Sequence, residues 1–237
     1  MLLGVAGRSF NSPVPRYMQN NLPEKYIITI GRSFGSGGRA VGRLIADRLG
    51  IEFYDKKLLA GAAERAGLNL AYSEQNDEKA PSAFPGHIPF GMGYYPSGWF
   101  GMAPAGAESI YKAQCEFIRE LAEREACVIV GRSADYILKD CPNVVNVFIH
   151  APAEHCARRI VERGDAPTLE KAMSLAAKTD KLRANFYNFY TDKQWGHSKS
   201  YHLCVDSSTM TVDDLADFII AFARRKLAAA SSENHIG

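Results

Sequence analysis

Apolar residues follow two alternating patterns along the chain from residue 26 onward. Short runs rich in β-branched residues predict strands, and apolar residues three or four positions apart predict helices. The predicted strands cover residues 26–30, 127–130, 144–149 and 202–205, and residues 51–55 form either a second short strand or an extended segment. The first predicted helix begins near Val41. The later predicted helices cover residues 57–66, 108–124, 154–163, 169–190 and about 212–223. Because strands alternate with helices, the pattern predicts an α/β fold with a parallel sheet covered on both faces.

Three stretches fall outside this alternation. Residues 1–25 contain several prolines and no sustained apolar run, so we expect a flexible N-terminal extension. An insert covers about residues 73–107, and its part at 81–106 is rich in proline, glycine and aromatic side chains, which excludes a regular helix or a central strand there. We expect residues 26–227 to form a single domain that carries this insert, with a polar tail at 228–237. Three roles are open for the insert: it covers a bound ligand, it forms a subunit contact in a homo-oligomer, or it is a loop that packs on itself.

The charge balance is nearly even, with 28 Lys and Arg against 26 Asp and Glu. A net charge of +2 is too small for a general nucleic-acid or membrane-surface binder, so an anion site must be local. We also find no run of about 20 apolar residues that would span a membrane. The five cysteines are scattered without a Cys-x-x-Cys pair, which favours reduced thiols and a cytoplasmic protein.

A glycine-rich loop follows the first predicted strand and leads into the first helix. It reads Gly31-Arg-Ser-Phe-Gly-Ser-Gly-Gly-Arg-Ala40. A strand–loop–helix junction directs successive backbone N–H groups and the positive end of the helix toward one place, which suits an anion. The glycines allow a phosphate to approach the backbone, and Arg39 adds a charged donor. The alternative is a glycine-rich turn that only connects the two elements.

The loop matches one phosphate-binding pattern and departs from another. Against the nucleotide P-loop G-x-x-x-x-G-K-[ST], the Lys position holds Gly38 and the Ser/Thr position holds Ala40. The dinucleotide pattern G-x-G-x-x-[GA] is matched by Gly35, Gly37 and Ala40, and Asp55 lies where an acidic residue would bind a ribose. The loop alone therefore leaves a nucleotide kinase and an NAD-type oxidoreductase open.

Basic residues after later strands favour phosphate chemistry. Arg132 and Asp135 follow the strand at 127–130, at the sheet edge where open α/β folds bind ligands, although an exposed ion pair between them is the alternative. Two later helices carry clusters of charged residues: Arg158, Arg159 and Arg163, then Lys178, Asp180, Lys181 and Arg183. Cationic helices after a phosphate loop indicate a closing lid rather than a hydride-transfer pocket. Each cluster taken alone is equally a solvated helix face.

The order of these motifs resembles the cytidylate kinase-like family of bacteria. The resemblance rests on the loop at 34–39, the segment at 53–55, the turn at 131–132, the segments 146–154 and 203–209, and Asp180 with Arg183 followed by Trp195-Gly196. It covers about residues 26–226 apart from the insert. It implies a three-layer P-loop fold with a parallel sheet and a helical lid, and an ATP-dependent transferase. The implied substrate is a nucleoside monophosphate of the cytidylate type, or a related small acceptor.

The resemblance also implies roles for individual residues. The donor phosphates would contact Gly35, Ser36, Gly37, Gly38, Arg39 and Ala40. The acceptor would contact Asp55, Arg132, Asp180 and Arg183. The charge of the transition state would be met by Arg39, Arg132, Arg159, Arg163 and Arg183.

The chain departs from true cytidylate kinases at several of these positions. Gly38 and Ala40 replace the loop Lys and Thr, a Ser and Arg pair that grips the acceptor nucleotide corresponds to Lys56 and Gly61, and Cys156 replaces a lid arginine. Arg39 would then stand in for the lysine. Magnesium is expected without a direct protein ligand, with Asp55 or Asp135 binding its waters, and no histidine pair has metal-ligand spacing. These departures motivate an alternative function, a nucleotide sensor or scaffold that has lost catalysis.

Overall fold

The computed structural model describes residues 22–55 and 107–233, and within them strands alternate with helices. The strands are β1 (Ile27–Arg32), β2 (Glu52–Tyr54), β3 (Cys127–Val130), β4 (Val144–His150) and β5 (Leu203–Asp206). The helices are α1 (Gly38–Leu49), α2 (Ala107–Arg124), α3 (Ala134–Ile137), α4 (Ala153–Glu162), α5 (Leu169–Tyr190) and α6 (Val212–Glu233). The predicted helix at 57–66, residues 73–106 of the insert, Lys56 and Gly61 lie outside the described residues, as do most of the N-terminal extension and the end of the tail.

The described strands form one parallel sheet in the order β2-β3-β1-β4-β5. Ile30 near the end of β1 lies opposite Val130 of β3 on one side and Val147 of β4 on the other. The carboxyl ends of these three central strands therefore meet at one edge, where ligands bind in open α/β sheets. The sheet confirms the predicted α/β fold. Its order also differs from the 3-2-1-4-5-6 order of a dinucleotide-binding sheet, which argues against the NAD-type alternative.

The core has a layer on each face of the sheet. Because side chains alternate along a strand, Ile28 and Ile30 pack with helices α1 and α6, whereas Ile27 and Ile129 pack with α2 and α3. All four of these side chains are buried. The nearly continuous apolar runs of β1, β3 and β4 thus follow from burial on both faces, and the two buried polar residues within them, Thr29 and Asn146, bond to each other at 2.8 Å.

Helices α4 and α5 form a separate small cluster next to the glycine loop. Ala157 and Ile160 of α4 pack against Ala172 of α5, and Phe34 of the loop packs against this cluster. Helix α5 begins at the predicted position because the Thr168 hydroxyl accepts a 3.3 Å hydrogen bond from the Lys171 N–H. The two helices therefore occupy the place expected of a helical lid.

Short elements account for the differences from the predicted boundaries. Helix α1 begins at Gly38 rather than near Val41, directly after Gly37 in a left-handed conformation with φ +83°. Helix α3 and the 3₁₀ helix Ser198–Ser200 have only four and three residues, which is too short for a periodic pattern of apolar residues to predict them. Across residues 22–55 and 107–233, we find no helix that combines the length and the hydropathy needed to cross a membrane.

Candidate functional site

The glycine loop between β1 and α1 leaves several backbone N–H groups unused. Gly35 and Gly37 adopt left-handed conformations, with φ +85° and +83°, which favour glycine. Ser36 closes the turn, because its N–H and its hydroxyl donate to the Ser33 carbonyl oxygen at 3.3 and 2.9 Å. Among the described residues, the N–H groups of Gly35, Gly37 and Gly38 have no hydrogen-bond acceptor. These amides lie next to the N-terminus of α1, where donors suit a phosphate group, and the three glycines are themselves buried.

Helix α4 packs directly on this loop. A Cβ at position 35 would lie 2.7 Å from the carbonyl oxygen of Cys156, so only glycine fits there. A Cβ at position 37 would lie 2.6 Å from Nη2 of Arg159, so the guanidinium group of Arg159 rests against the loop backbone. The loop therefore has one predicted cation in contact with its second left-handed glycine.

Helix α5 is tied to the loop through Asp180. The Phe34 N–H donates a 2.8 Å hydrogen bond to Asp180 Oδ1, and Arg183 Nη1 lies 3.4 Å from the same oxygen. Burial raises the pKa of Asp180, while the Phe34 N–H and Arg183 oppose that shift. The guanidinium groups of Arg163 and Arg183 each lie 5.4 Å from the Phe34 ring centre. Loop and lid thus form one packed unit in which Arg163 and Arg183 lie close to the predicted donor site.

Arg39 pairs with Asp55. Its Nε and Nη2 atoms both lie 2.7 Å from Asp55 Oδ2. The Arg39 side chain is 69% exposed and that of Asp55 only 9% exposed, so the arginine neutralises a nearly buried carboxylate at the end of β2. In this arrangement Arg39 links α1 to β2. The two predicted residues Arg39 and Asp55 therefore contact each other, and neither joins Arg159 at the glycine loop.

An open pocket lies beside the loop, at the carboxyl ends of β1 and β3. It encloses about 620 Å³ of empty space when its solvent-filled mouth is included. Three arginines line it: Arg32, Arg132 and Arg183. The other lining residues are Gly31, Val130, Gly131, Ser133, Asp135, Phe186, Tyr187, Trp195 and Tyr201. Arginines that converge beside aromatic rings suit a ligand that carries both an anionic group and a flat apolar group.

The turn after β3 has an unusual backbone. Gly131, Arg132 and Ser133 are all left-handed, with φ of +79°, +62° and +51°. Such a conformation costs energy for Arg and Ser, which lack the freedom of glycine. The Ala134 N–H closes the turn with a 3.2 Å bond to the Gly131 carbonyl. This strained turn places Arg132 at the pocket.

Asp135 is buried behind this turn and is bound by a tyrosine. The Tyr187 hydroxyl donates a 2.6 Å hydrogen bond to Asp135 Oδ2, so the alternative of an exposed ion pair with Arg132 is wrong. Burial raises the pKa of Asp135, and the Tyr187 hydrogen bond and Lys193 partly offset this effect. Burial and the Asp135 carboxylate raise the pKa of Tyr187 in turn.

Arg32 is the site residue that the sequence analysis missed. The triplet Gly-Arg-Ser occurs at 7–9, 31–33 and 131–133, which gives a signal too short to define a repeat. Its meaning depends on the sheet, because β1 and β3 are neighbours in parallel register with Ile30 opposite Val130. The two arginines therefore leave the same edge of the sheet, one strand apart.

The predicted residues thus fall into two groups and one separate pair. At the glycine loop lie Gly35, Ser36, Gly37, Gly38, Arg159, Arg163, Asp180 and Arg183. Arg132 and Arg183 line the pocket. Arg39 and Asp55 form the pair. Ser36 is fully buried, its N–H donates to the Ser33 carbonyl oxygen, and its own carbonyl oxygen accepts a 2.7 Å hydrogen bond from the Ser207 hydroxyl, so its contacts hold the shape of the loop.

A metal ion has few protein ligands near this loop. Within the described ranges, no three His, Cys, Asp or Glu residues are grouped closely enough to hold a metal ion. The methyl group of Ala40 provides no oxygen at the position of the P-loop hydroxyl. The side chains therefore fit a polyphosphate better than a directly coordinated magnesium ion.

Comparisons with known proteins show which family the chain belongs to. The family model of the cytidylate kinase-like family matches residues 27–209. The crystal structure of an uncharacterized protein from Eubacterium ventriosum ATCC 27560 has 32% sequence identity and a TM-score of 0.64, and the match covers 84% of this chain and 98% of that chain. None of the curated proteins matches the chain.

Two kinase structures are more distant. Shikimate kinase from Acinetobacter baumannii in complex with shikimate has 18% identity and a TM-score of 0.47, covering 85% of this chain and 93% of its own. A gluconokinase from Sinorhizobium meliloti 1021 has 16% identity and a TM-score of 0.47, covering 90% and 97%. With TM-scores below 0.5, these two likenesses do not bear on the function.

Proposed function

The chain belongs to the cytidylate kinase-like family, and on this basis we propose that it is an ATP-dependent kinase. The proposed acceptor is a nucleoside monophosphate of the cytidylate type, or a related small acceptor that carries a phosphate group. The observation that supports this most is the adjacency of two anion sites. A loop whose amides at Gly35, Gly37 and Gly38 have no acceptor among the described residues lies beside a pocket lined by Arg132 and Arg183.

The loop would hold the donor. Its amides would donate to the oxygens of the polyphosphate, and the helix α1 N-terminus adds favourable potential there. Arg159 rests against Gly37 and would neutralise part of the phosphate charge. Gly35 and Gly37 would keep the loop in this conformation, because each is left-handed and each abuts α4.

The pocket would hold the acceptor. Guanidinium groups bind phosphate oxygens in a bidentate manner, which suits Arg132 and Arg183 to an acceptor phosphate. The aromatic rings of Phe186, Trp195 and Tyr201 line the same pocket and would pack on a flat base. A phosphate together with a ring system is the composition of a nucleoside monophosphate.

The reaction would be an in-line phosphoryl transfer. An acceptor oxygen would form a bond to the γ-phosphorus, the bond from that phosphorus to the β–γ bridging oxygen would break, and the electron pair would remain on ADP. An ionised acceptor phosphate needs no base. The protein would therefore act by positioning and by neutralising charge, with Arg159, Arg163 and Arg183 around the donor loop.

Magnesium would neutralise phosphate charge when bound. Since Ala40 offers no oxygen, we assign it no direct protein ligand at the loop. Asp55 is already paired with Arg39 and Asp135 with Tyr187, and both would act only through water.

The test is ADP release from ATP, measured with a panel of nucleoside monophosphates. We expect turnover with at least one of them, and we expect Arg132→Asn to raise the acceptor KM about tenfold or more. Asparagine suits the left-handed backbone at this position. Arg158→Gln is the matched control, because Arg158 is exposed on α4 and pairs with Glu154 on the same helix. No turnover with any acceptor, while ATP still binds, would reject the kinase.

A second candidate function is a nucleotide sensor that kept the fold without catalysis. The observation in its favour is that Arg39, the proposed substitute for the loop lysine, is held by Asp55. In that case ATP would bind and no acceptor would be phosphorylated. Isothermal titration with ATP, combined with the acceptor panel, separates the two functions.

A further inference from the structure

Arg32 is a basic residue at the junction of the glycine loop and the arginine pocket. We propose that its guanidinium group contacts the phosphoryl group in transfer and supplies the positive charge that the loop lysine supplies in other P-loops. This role rests on the proposed kinase activity. Three observations support it: the base of the Arg32 side chain lies against Gly38, its guanidinium group lies against Gly131, and Arg183 lies beside it.

The Arg32 side chain begins over the position of the missing lysine. A Cβ at position 38 would lie 2.7 Å from Cβ and 3.2 Å from Cγ of Arg32. A lysine at 38 and an arginine at 32 therefore compete for the same space. The sequence carries the arginine and has glycine at 38, so the positive side chain leaves from β1 instead of α1.

The Arg32 side chain ends in the pocket. Its Nη1 atom lies against Gly131, and its Cζ atom would be 3.0 Å from a Cβ at that position. Gly131 has no side chain and a φ of +79°, so the strained turn after β3 leaves room for the guanidinium. Arg32 thus reaches from the first residue of α1 to the residue that precedes Arg132.

A second cationic side chain, that of Arg183, lies beside Arg32. Arg183 Nη1 lies 3.4 Å from the Arg32 carbonyl oxygen, and both side chains line the pocket. Burial raises the pKa of Asp180, which accepts the Phe34 N–H, and the charge of Arg32 is one of the smaller effects that oppose this shift. Both cations therefore border the pocket into which a phosphoryl group would move from the loop.

Arg39 is the competing candidate for this role. Its Nε and Nη2 both bind Asp55, and its side chain is 69% exposed on the α1 surface. Nothing in its contacts directs it to the pocket within the described part of the chain. We infer that Arg39 positions the end of β2 through Asp55, and that Arg32 takes the phosphate role.

The experiment compares the affinities of ADP and of the non-hydrolysable analogue AMP-PNP by isothermal titration. The wild type is expected to prefer AMP-PNP, because Arg32 adds a contact to the third phosphate. Arg32→Gln is expected to reduce that preference about tenfold, while ADP affinity stays within about threefold. Arg39→Gln and the control Arg158→Gln are expected to keep the preference. Retention of the preference in Arg32→Gln, or its absence in the wild type, would overturn the proposal.

A second variant keeps the result decisive if Arg32→Gln folds poorly. Arg32→Lys retains the charge and is expected to keep most of the preference, so an equal loss in both variants would overturn a role based on charge. The same titrations separate this proposal from the kinase itself. If the wild type phosphorylates no acceptor but Arg32→Gln still loses the preference, the kinase fails and the contact between Arg32 and the third phosphate stands.

Discussion

The Tyr187 hydroxyl donates a 2.6 Å hydrogen bond to the Asp135 carboxylate, and the two residues line the pocket together. Helix α5 contributes the tyrosine and α3 contributes the acid, which is buried one turn away from Arg132. The bond therefore fixes the strained turn after β3 against the lid helix. It is also the main neutral donor that offsets the burial of this carboxylate.

Tyr187→Phe tests this bond. Without the hydroxyl, the ionised carboxylate of Asp135 loses its hydrogen bond, so its pKa rises further. We expect the variant to lose about 1–3 kcal/mol in the free energy of unfolding at pH 7. The loss should be smaller near pH 4, where a larger fraction of Asp135 is protonated and no ion is left without a donor. Urea unfolding at both pH values measures this, and an equal loss at the two would contradict it.

His202 gives the protein a stability that depends on pH. Its Nδ1 accepts a 2.9 Å hydrogen bond from the Asn146 N–H, which requires a neutral ring. Desolvation, followed by Lys226 and Lys193, lowers its pKa from 6.5 to about 4. The folded state thus binds the proton less readily than the unfolded chain. Its contribution to stability is complete above pH 6.5 and is lost as the pH falls toward 4.

The variant His202→Asn isolates this effect, because the asparagine side-chain oxygen replaces the acceptor and does not titrate. The difference in unfolding free energy between wild type and variant should shift in favour of the variant between pH 7 and pH 4.5, as followed by urea titration at about half-unit steps. A difference that stays constant over this interval would show that His202 is not responsible.

Gly35→Ala and Gly50→Ala form a matched pair. Both glycines are left-handed, with φ +85° and +65°, but Gly35 abuts the Cys156 backbone whereas Gly50 has nothing within 4 Å. We expect Gly50→Ala to cost about 1–2 kcal/mol for the backbone conformation alone. Gly35→Ala should cost about 1–3 kcal/mol more because of the overlap with α4, and should weaken ATP binding. Equal costs, measured by urea unfolding, would argue against close packing of α4 on the loop.

The overlap between positions 32 and 38 predicts a compensating pair. Gly38→Lys alone should destabilise the protein by about 1–3 kcal/mol, because the new Cβ meets Arg32. The double variant Arg32→Gly with Gly38→Lys should recover at least half of that loss and should show more turnover than Arg32→Gly alone. A double-mutant cycle of unfolding free energies and kcat values measures both effects. Strict additivity of the two substitutions would contradict the shared space.

Elements with long apolar patterns could be predicted from the sequence. The strand Cys127–Val130 and the helix Leu169–Tyr190 have the predicted limits, the helix because Thr168 provides its cap. Burial on both faces makes the central strands continuous apolar runs, which are read without knowledge of the sheet order. The loop could be recognised for a similar local reason, since its four glycines all lie within residues 31–38.

Relationships across the sheet could not be predicted in this way. Arg32 joins the pocket only because β3 lies next to β1, and the strand order is not encoded in any local period. The position of Arg39 in the loop predicts a phosphate ligand, but in the structure Arg39 pairs with Asp55 at the end of β2. The burial of Asp135 likewise depends on α5, more than 50 residues further along the chain. Tertiary contacts therefore decided which of the arginines surround the pocket.

The hydrogen bond from the Phe34 amide to Asp180 has a thermodynamic consequence. Any rotation that carries α5 away from the loop must break this bond, so the Phe34 N–H and the Asp180 carboxylate would each have to find a new partner. Whatever stabilises the loop in its present shape therefore also stabilises the closed position of α5, and by reciprocity α5 closure tightens whatever the loop holds. The Phe34 amide thus couples ligand binding at the glycine loop to the position of α5, through a residue 146 positions further along the chain.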